Sequence, residues 1–433
     1  MSKPITQFSC TNCGAVTQSW SGKCKTCGEW NTIIEEQLDV INKKNNNATA
    51  VTLQKVSELS QVTHERIKTN IKEFDRVLGG DDPGIVTGSI ILLAGNPGVG
   101  KSTILLQVCS SINDSLYFSS EESLEQISGR LKRLNINNSS MRLSSERDLN
   151  RVVATIIQEK PKLVVIDSIQ TVYDQDIAGT PGSVTQVREN CWRLQQLAKS
   201  QGVAILLVGH VTKEGVVAGP RVLEHLVDVV LYLEGDKNTG LRMLRGEKNR
   251  FGPTDEVGIW RLQSNGFVEV EDPASLFLKL VDENSPGRSL SVINEGSRAF
   301  IIEIQALVTK TIYGFPKRTA QGIDVNRLTL LLAVLENQLK VPLSSFDVYV
   351  NVVGGFSVKD PGTDLAIACA ILSSYYQISL SKKLILIGEI GLLGEVRPAQ
   401  NHATRVKEIT RLKYVSNKGI YNVKALTDLF KKA

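Results

Sequence analysis

The stretch 89-SIILLAGNPGVGKST-103 joins an apolar run to a glycine-rich loop and leads into the helical pattern 104-ILLQVCSSI-112. The loop completes the motif G-x-x-x-x-G-K-[ST] in the strand–loop–helix context that makes it specific. Its glycines let backbone N–H groups face phosphate oxygens, and the helix N-terminus adds partial positive charge. Lys101 can bridge the β- and γ-phosphates while the Ser102 hydroxyl ligates Mg²⁺. We therefore expect ATP to be bound by Gly95, Asn96, Pro97, Gly98, Val99, Gly100, Lys101, Ser102 and Thr103.

From about residue 66 to 270, short apolar runs alternate with amphipathic helical patterns. Apolar, β-branched strands separated by helices indicate a parallel α/β sheet that is buried on both faces. The stretch 256-EVGIWRLQSNGFVEV-270 alternates around Ser-Asn-Gly and predicts an edge hairpin. The strand candidates are 89-SIILLAG-95, 115-SLYFSS-120, 162-KLVVIDS-168, 203-VAILLVGH-210 and 228-DVVLYLEG-235.

Polar residues end three of these strands, and the carboxyl ends of parallel strands meet at the edge that carries the phosphate loop. Asp167 is expected to hold the Mg²⁺ water shell, and a helix cap is the alternative. Glu121, in preference to Glu122, is expected to polarise the attacking water. The alternative is a pair of acids that favour a helix N-terminus. His210 is expected to sense the γ-phosphate, unless it is a capping residue.

The segment 10-CTNCGAVTQSWSGKCKTCGEW-30 contains two C-x-x-C pairs, each followed by glycine. Four thiolates at this spacing suit tetrahedral Zn²⁺ and leave no open ligand position, which predicts a structural rather than a catalytic metal. Two disulfides are the alternative, which a cytoplasmic chain disfavours. We expect Trp20 and Trp30 to pack on the small core of this module. The expected zinc ligands are Cys10, Cys13, Cys24 and Cys27.

Composition excludes some classes of protein and leaves others open. The 433 residues suffice for two large domains with accessories, and 42% apolar with 22% charged residues is typical of a globular protein. A net charge of +5 permits an anionic partner without requiring one. The sequence has no long apolar run that would span a membrane. Because the N-terminus lacks the apolar core of a signal peptide, we expect a cytoplasmic protein. The single cysteines Cys109, Cys191 and Cys369 are expected in the core.

The cysteine motif, the loop GNPGVGKS, 248-KNRFG-252 and a Lon-like C-terminal segment occur in this order and resemble the RadA (Sms) family of bacterial DNA-repair proteins. The resemblance covers essentially the whole chain, and KNRFG is its most specific motif. It implies a RecA-like ATPase core, related to DnaB-type helicases. It also implies a hexameric ring that acts on single-stranded and branched DNA and promotes branch migration alongside the RecA recombinase. Lys101, Ser102, Asp167 and Glu121 match the family's ATP and Mg²⁺ residues.

The resemblance also implies the domain organisation. We expect a zinc finger over residues 1–34, a polar, asparagine-rich linker over 35–60, the ATPase domain with KNRFG over 61–272, and a Lon-protease-like α/β domain over 273–433. The last domain would carry a protease serine near Thr363 and a lysine near Ala403, and neither is present in register. Without a neighbouring amine the Thr363 hydroxyl stays a weak nucleophile, so we expect an inactive scaffold. Lys407, one helical turn beyond, leaves this point open.

In KNRFG, Lys248 and Arg250 are separated by one residue and project from the same face of an extended strand. Phe251 then points the other way and anchors the strand end. Because the motif lies beyond the last core strand, we expect the pair to miss its own phosphate loop and to reach a neighbour's γ-phosphate as a finger in trans. A solvated basic strand end is the alternative.

Two segments after strands combine cations with glycines, as expected of loops that face DNA in a ring channel. These are 211–222 and 174–190, and the expected DNA-binding residues are Lys213, Arg221 and Arg188. Ordinary surface loops are the alternative. For the whole chain, a DNA-dependent ATPase and helicase in homologous recombination is the favoured function. A nucleotide-switched assembly or signalling ATPase of the circadian-clock type is the competing one, but it would not account for the cysteine motif or KNRFG.

Overall fold

The structure is a computed structural model, and it divides the chain into two compact units that meet in sequence between Glu269 and Val270. Among the described residues, no helix combines the length and apolarity needed to cross a bilayer. The structure describes residues 5–10, 16–17, 19–26, 28–30, 32–38, 65–80, 82–138, 140–209, 223–235, 240–270, 285–312, 314–353, 358–417 and 419–431.

The N-terminal segment forms a small antiparallel sheet in the order β2-β1-β3, from β1 (Ile5–Cys10), β2 (Val16–Thr17) and β3 (Ile33–Leu38). Cys10 pairs with Ile33 across β1 and β3. The buried side chains of Cys10, Cys24 and Ile33 share one cluster, against which Phe8 packs. The expectation for the two tryptophans is wrong. The side chains of Trp20 and Trp30 are 63% and 67% exposed, because the cluster is too small to cover indole rings.

A nine-stranded sheet dominates the rest of the first unit. Its strands are β6 (Ile90–Gly95), β7 (Ser115–Ser119), β8 (Arg142–Ser144), β9 (Leu163–Asp167), β10 (Ala204–Val208), β11 (Val229–Gly235), β12 (Leu241–Asn249), β13 (Val257–Gln263) and β14 (Gly266–Glu269). The order is β14-β13-β12-β11-β6-β10-β9-β7-β8, parallel from β11 to β8 and antiparallel from β11 to β14. A separate pair is formed by β4 (Arg66–Ile67) and β5 (Ile85–Val86). The helices are α1 (Lys72–Leu78), α2 (Lys101–Ser111), α3 (Leu124–Arg133), α4 (Leu149–Glu159) and α5 (Val184–Gln201).

This sheet is buried on both faces, as the apolar runs predict. Along β6, Ile91 and Leu93 contribute to one apolar cluster, and Ile90 and Leu92 contribute to the other. Alternate residues of a strand point to opposite faces, so the continuous apolar run of β6 supplies both layers. The predicted parallel α/β sheet and the edge hairpin around Ser264 and Asn265 are therefore confirmed.

The second unit is a separate α/β domain with a six-stranded sheet in the order β17-β18-β16-β15-β19-β22 and a hairpin of β20 and β21. Helix α7 is buried along most of its length and contacts β15 and β16. The strands are β15 (Arg288–Glu295), β16 (Arg298–Lys310), β17 (Arg318–Gln321), β18 (Phe346–Val352), β19 (Leu384–Ile385), β20 (Glu389–Ile390), β21 (Val396–Arg397) and β22 (Val415–Ser416). The helices are α6 (Val325–Leu339), α7 (Asp364–Tyr376), α8 (His402–Arg411) and α9 (Thr427–Lys431), with 3₁₀ turns at Leu343–Ser345, Pro361–Thr363 and Val423–Leu426.

Gly95 ends β6 where the backbone of β11 passes close by, and this generates a testable prediction. A Cβ at residue 95 would lie 2.4 Å from the Leu233 carbonyl oxygen, whereas one at Gly98 would meet no atom within 4 Å. Gly95→Ala must therefore separate β6 from β11, and we expect a loss of about 2–4 kcal/mol in unfolding free energy. Gly98→Ala, with φ of 77°, carries only backbone strain of about 1 kcal/mol. Thermal unfolding of both variants measures the difference, and equal melting temperatures would contradict the clash.

Candidate nucleotide site

The phosphate loop connects β6 to α2, and its geometry follows from two glycines. Gly98 and Gly100 have φ of 77° and 108°, in the left-handed region that glycine adopts without a Cβ penalty. Gly100 is the N-terminal cap of α2, and Lys101 is the first residue of that helix. The free N–H groups of the first helical turn therefore face the loop, which is the arrangement that binds anions.

The Lys101 side chain is buried and lies across the loop. Its Nζ donates to the carbonyl oxygens of Gly95, at 2.8 Å, and Asn96, at 3.3 Å. Burial lowers the pKa of Lys101, while the negative charges of Asp167 and Glu121 act in the opposite direction. The ammonium group thus lies within the electrostatic field of both acids, and main-chain oxygens hold it in place.

Asp167 ends β9 at the same edge of the sheet, and its carboxylate is oriented by a neighbour. The Tyr117 hydroxyl, from β7, donates to Asp167 Oδ2 at 2.7 Å. Burial raises the pKa of Tyr117 well above its usual value, with the adjacent Asp167 charge acting in the same direction. The phenol therefore stays a donor at neutral pH. The next residue, Ser168, follows a cis peptide bond, and its Oγ donates to Glu121 Oε1 at 2.5 Å.

The two glutamates that follow β7 have different surroundings. Glu121 is oriented by Ser168, whereas Glu122 forms an ion pair with Arg130 of α3. Both precede the helix, which begins at Leu124 after the capping residue Ser123. The alternative in which they are acids of the first helical turn is therefore not what the fold shows. This geometry favours Glu121 as the residue that faces Lys101.

A cleft of about 580 Å³ opens beside the loop. Besides Lys101 and Ser102, its wall includes Arg130 and Arg133 of α3 and the hairpin residues Leu262, Gln263, Ser264 and Gly266. Sequence reasoning did not identify this wall, because the hairpin and α3 are brought to the loop only by the order of the strands. Tyr117 and Ser168 were missed for the same reason.

Lys248 and Arg250 lie at the edge of the sheet where its parallel strands begin, opposite to the edge that carries the phosphate loop. Asn249, the last residue of β12, pairs with Val229 of β11, and Val229 pairs with Ile91 near the start of β6. The loop begins at the other end of β6, at Gly95, about 13 Å further along the strand at about 3.3 Å per residue. KNRFG is thus at the amino-terminal edge, away from its own phosphate loop.

The remaining residues of KNRFG attach the motif to α1 and to Arg66 of β4. The Phe251 side chain packs against the larger apolar cluster of this unit, as expected of an anchor. Its carbonyl accepts from Arg66 Nη2 at 2.7 Å, and Asn249 Nδ2 donates to the Leu78 carbonyl at 2.9 Å. At Gly252 a Cβ would lie 2.9 Å from that same carbonyl oxygen, so a side chain would push the motif away from α1.

Several predicted residues lie outside the described part of the chain: Cys13, Cys27, His210, Lys213 and Arg221. The prediction of a loop over 174–190 is wrong beyond residue 183. Helix α5 begins at Val184, capped by the Ser183 side chain, and Arg188 lies on its exposed face. The buried side chain of Gln186 donates to the carbonyls of Asp174 and Ile177 and thereby orders the preceding loop.

Two of the four expected zinc ligands can be placed. Cys10 and Cys24 are both buried in the cluster of the N-terminal sheet. Around Cys24 the chain turns tightly, with the Gly28 N–H donating to the Cys24 carbonyl at 2.9 Å and the Cys24 N–H donating to the Glu29 carbonyl at 2.8 Å. Two buried thiols in one small cluster fit a thiolate metal site.

In the second unit, the residues around Thr363, near which a Lon-like protease would carry its serine, are held by hydrogen bonds. Thr363 is buried, and its Oγ1 donates to the Asp360 carbonyl at 2.9 Å. Arg405 is also buried; its guanidinium pairs with the Asp360 carboxylate and donates to the carbonyls of Val292 and Gln400. Ala403 and Lys407 of α8 are exposed.

Comparisons with known proteins agree with this architecture. Family models match residues 8–35 as "Rubredoxin metal binding domain", 54–216 as "AAA domain" and 309–416 as "Subunit ChlI of Mg-chelatase". The fold and the phosphate loop define a P-loop ATPase that carries a zinc ribbon and a Lon-like domain.

Relatives along nearly the whole chain identify the family. The DNA repair protein RadA of Bacillus subtilis is 44% identical over 422 residues, which cover 95% of this chain and 92% of that protein. The RadA proteins of Pseudomonas aeruginosa and Escherichia coli are 42% and 41% identical, each over 94% of this chain and 91% of their own length. The chain belongs to the RadA family of DNA repair proteins, as its motifs had indicated.

The buried Cys24 predicts a metal-dependent module. Cys24→Ser is expected to lower bound zinc from one per chain to near zero, because so short a segment cannot bury enough apolar surface to fold unaided. The ATPase unit should stay folded. Metal analysis and thermal unfolding of the purified chain measure both effects. Cys191→Ser, which removes a thiol buried in α5, is the control and should keep its zinc. Full zinc content in Cys24→Ser would contradict the assignment.

The site geometry predicts different defects for its charged residues. Lys101→Ala and Asp167→Asn should abolish hydrolysis by weakening the hold on the γ-phosphate and on Mg²⁺. Glu121→Gln should bind ATP almost normally and lower kcat by about 10²–10⁴-fold, as expected of a residue that activates water. Glu122→Gln is the matched control, because Glu122 is paired with Arg130, and its kcat should change little. Equilibrium ATP binding and steady-state hydrolysis measure the four variants. Equal loss of ATP binding in all of them would contradict the separate roles assigned to Lys101, Asp167 and Glu121.

Proposed function

We propose that the chain is a DNA-dependent ATPase that works as a ring in recombinational DNA repair. One observation carries the proposal: Lys248 and Arg250 lie at the edge of the sheet opposite to their own phosphate loop. Two cations fixed there cannot reach a nucleotide on the same subunit, but they can reach one bound by a neighbour. A subunit with the loop at one edge and the finger at the other is complete only when copies assemble side by side.

The residues of the loop edge fit a nucleotide with a divalent cation. Oxygen donors of Ser102 and Asp167 are the hard ligands and water-shell acceptors that Mg²⁺ prefers, and Tyr117 keeps the Asp167 carboxylate oriented. When bound, the cation would neutralise charge on the β- and γ-phosphates. Lys101 holds the γ-phosphate, and the free N–H groups at the start of α2 hold the β-phosphate. Glu121, oriented by Ser168, accepts a proton from the attacking water or positions that water.

The finger pair supplies the remaining positive charge. As charge develops on the transferred phosphoryl group, Arg250 and Lys248 of the neighbouring subunit stabilise it. This requirement makes hydrolysis dependent on the interface between subunits. DNA that orders the ring would therefore raise the rate without touching the phosphate itself.

The other partners follow from the family. We propose that single-stranded and branched DNA lies in the ring channel, where Lys213, Arg221 and Arg188 contact its backbone, and that His210 relays the state of the γ-phosphate. A hexamer with helicase activity, branch migration alongside the RecA recombinase, and structural Zn²⁺ on Cys10, Cys13, Cys24 and Cys27 complete the proposal. Protease activity is not expected, because the Thr363 hydroxyl is buried and bonded to a main-chain carbonyl.

The finger in trans is tested by mixing subunits. Single-stranded DNA should raise ATP hydrolysis of the wild-type chain severalfold. Arg250→Ala should bind ATP almost normally and lose this stimulation, and its overall kcat should fall by about 10³-fold for a full finger. Mixing Arg250→Ala with Lys101→Ala should restore part of the activity, because some interfaces then combine an intact loop with an intact finger.

The control for this experiment replaces Lys101→Ala by the double variant Lys101→Ala/Arg250→Ala. Mixed rings of that kind contain no complete interface and should stay inactive. If subunit exchange is demonstrated and the first mixture is still no more active than the second, the pair does not act in trans. If the wild-type chain gains nothing from DNA, the proposal of a DNA-dependent ATPase fails.

A further inference from the structure

Asp228 connects the finger to the strand of its own phosphate loop. It is buried, with 4% of its surface exposed, just before β11. Its backbone N–H donates to the Ile90 carbonyl at 3.0 Å, and its Oδ2 accepts from the Ile90 N–H at 3.2 Å. Its carbonyl accepts from the Arg250 N–H at 3.2 Å, and its Oδ1 accepts from Arg250 Nη1 at 3.0 Å. One residue thus binds the first residue of β6 and the finger arginine.

The turn before Asp228 binds the second cation. Lys248 Nζ donates to the carbonyl oxygens of Glu224, at 2.6 Å, and Val227, at 2.8 Å. Both cations of the finger are therefore held by the same short segment, residues 224–228. Like charges so close repel each other, and the Asp228 carboxylate lies within the field of both.

The contacts orient Arg250 without using up its donors. A guanidinium has five N–H donors, and the hydrogen bond to Asp228 uses one of them. The Arg250 side chain is 49% exposed, while that of its partner carboxylate is 5% exposed. A buried carboxylate is costly unless it is paired, and a neutral acceptor would have sufficed for the Ile90 N–H. A carboxylate at this position is therefore not explained by its hydrogen bond to the Ile90 N–H alone, and its pairing with Arg250 accounts for the charge.

We infer that Asp228 is a positioning residue, which aims Arg250 at the nucleotide of the neighbouring subunit, while the Glu224 and Val227 carbonyls aim Lys248. The inference rests on the proposed role of the pair in trans. Because Asp228 also binds Ile90, the finger that serves the neighbour is attached to the strand that ends in this subunit's own phosphate loop.

Asp228→Ala should lower the DNA-stimulated kcat by about tenfold to a hundredfold, the cost of a misplaced catalytic group. The affinity for ATP should stay within about twofold, since Asp228 is at the other edge of the sheet from the loop. The double variant Asp228→Ala/Arg250→Ala should be no slower than Arg250→Ala alone, because Asp228 acts only through Arg250. Mixing Asp228→Ala with Lys101→Ala should recover activity, as it does for Arg250→Ala.

Ser89→Ala is the matched control. Ser89 is buried next to Ile90 at the same edge, and its Oγ donates to the Val86 carbonyl at 2.6 Å. Its substitution disturbs the start of β6 without touching the finger, so kcat should stay near the wild-type value. If Asp228→Ala does not fold, the isosteric Asp228→Asn replaces it. Its NH2 group takes the place of one accepting oxygen and faces an N–H donor of Ile90 or Arg250, and the charge that pairs with Arg250 is lost, so kcat should still fall.

The outcomes separate the two proposals. If Arg250→Ala keeps its DNA-stimulated hydrolysis, the role in trans fails and the inference fails with it. If Arg250→Ala loses that activity and Asp228→Ala or Asp228→Asn keeps it, only the positioning role is overturned. If the losses of kcat in Asp228→Ala and Arg250→Ala add in the double variant, Asp228 merely stabilises the edge of the sheet. The same conclusion follows if Ser89→Ala lowers kcat as much as Asp228→Ala does.

Discussion

Strand β6 is hydrogen-bonded to a parallel strand on each side, β10 and β11, and this pairing fixes the phosphate loop relative to the finger pair. All residues from Ile90 to Gly95 are buried, so the strand can neither shift its register nor turn outward. Its carboxyl end delivers the phosphate loop to one edge of the sheet. Its amino end binds Asp228, and through it Arg250, at the other edge. No side-chain rotation can remove that separation.

Much of this arrangement could be predicted from sequence, because it depends on local patterns. The phosphate loop, the buried strands and the edge hairpin each have a short-range signature of glycines, apolar runs or alternation. The order of the strands has none. Tyr117 and Asp228 contact residues 50 and 22 positions away, and only the completed sheet brings them to Asp167 and Arg250.

The errors have physical causes as well. The prediction that Trp20 and Trp30 pack on the core of the cysteine module is wrong, because a cluster of two thiols and one isoleucine has no room for them. The cations and glycines of the 174–190 segment predict a loop, yet Ser183 and the buried Gln186 start a helix at Val184. In the second unit, the Thr363 hydroxyl donates to the Asp360 carbonyl and Arg405 pairs with the Asp360 carboxylate, so this hydroxyl belongs to a hydrogen-bonded scaffold.

The nine-stranded sheet carries the phosphate loop at one edge, where the parallel strands end, and the finger pair at the other, where they begin. The two edges are therefore chemically different surfaces, and this difference has a geometric consequence. If the finger edge of one subunit faces the loop edge of the next, the contact is heterologous: no two-fold axis can relate the partners. Such contacts repeat head to tail and end only by closing into a ring or by growing as a helix. Every subunit then points the same way around the axis, so the assembly has a front and a back. A polymer threaded through it would meet the same sequence of surfaces in one direction and the reverse sequence in the other.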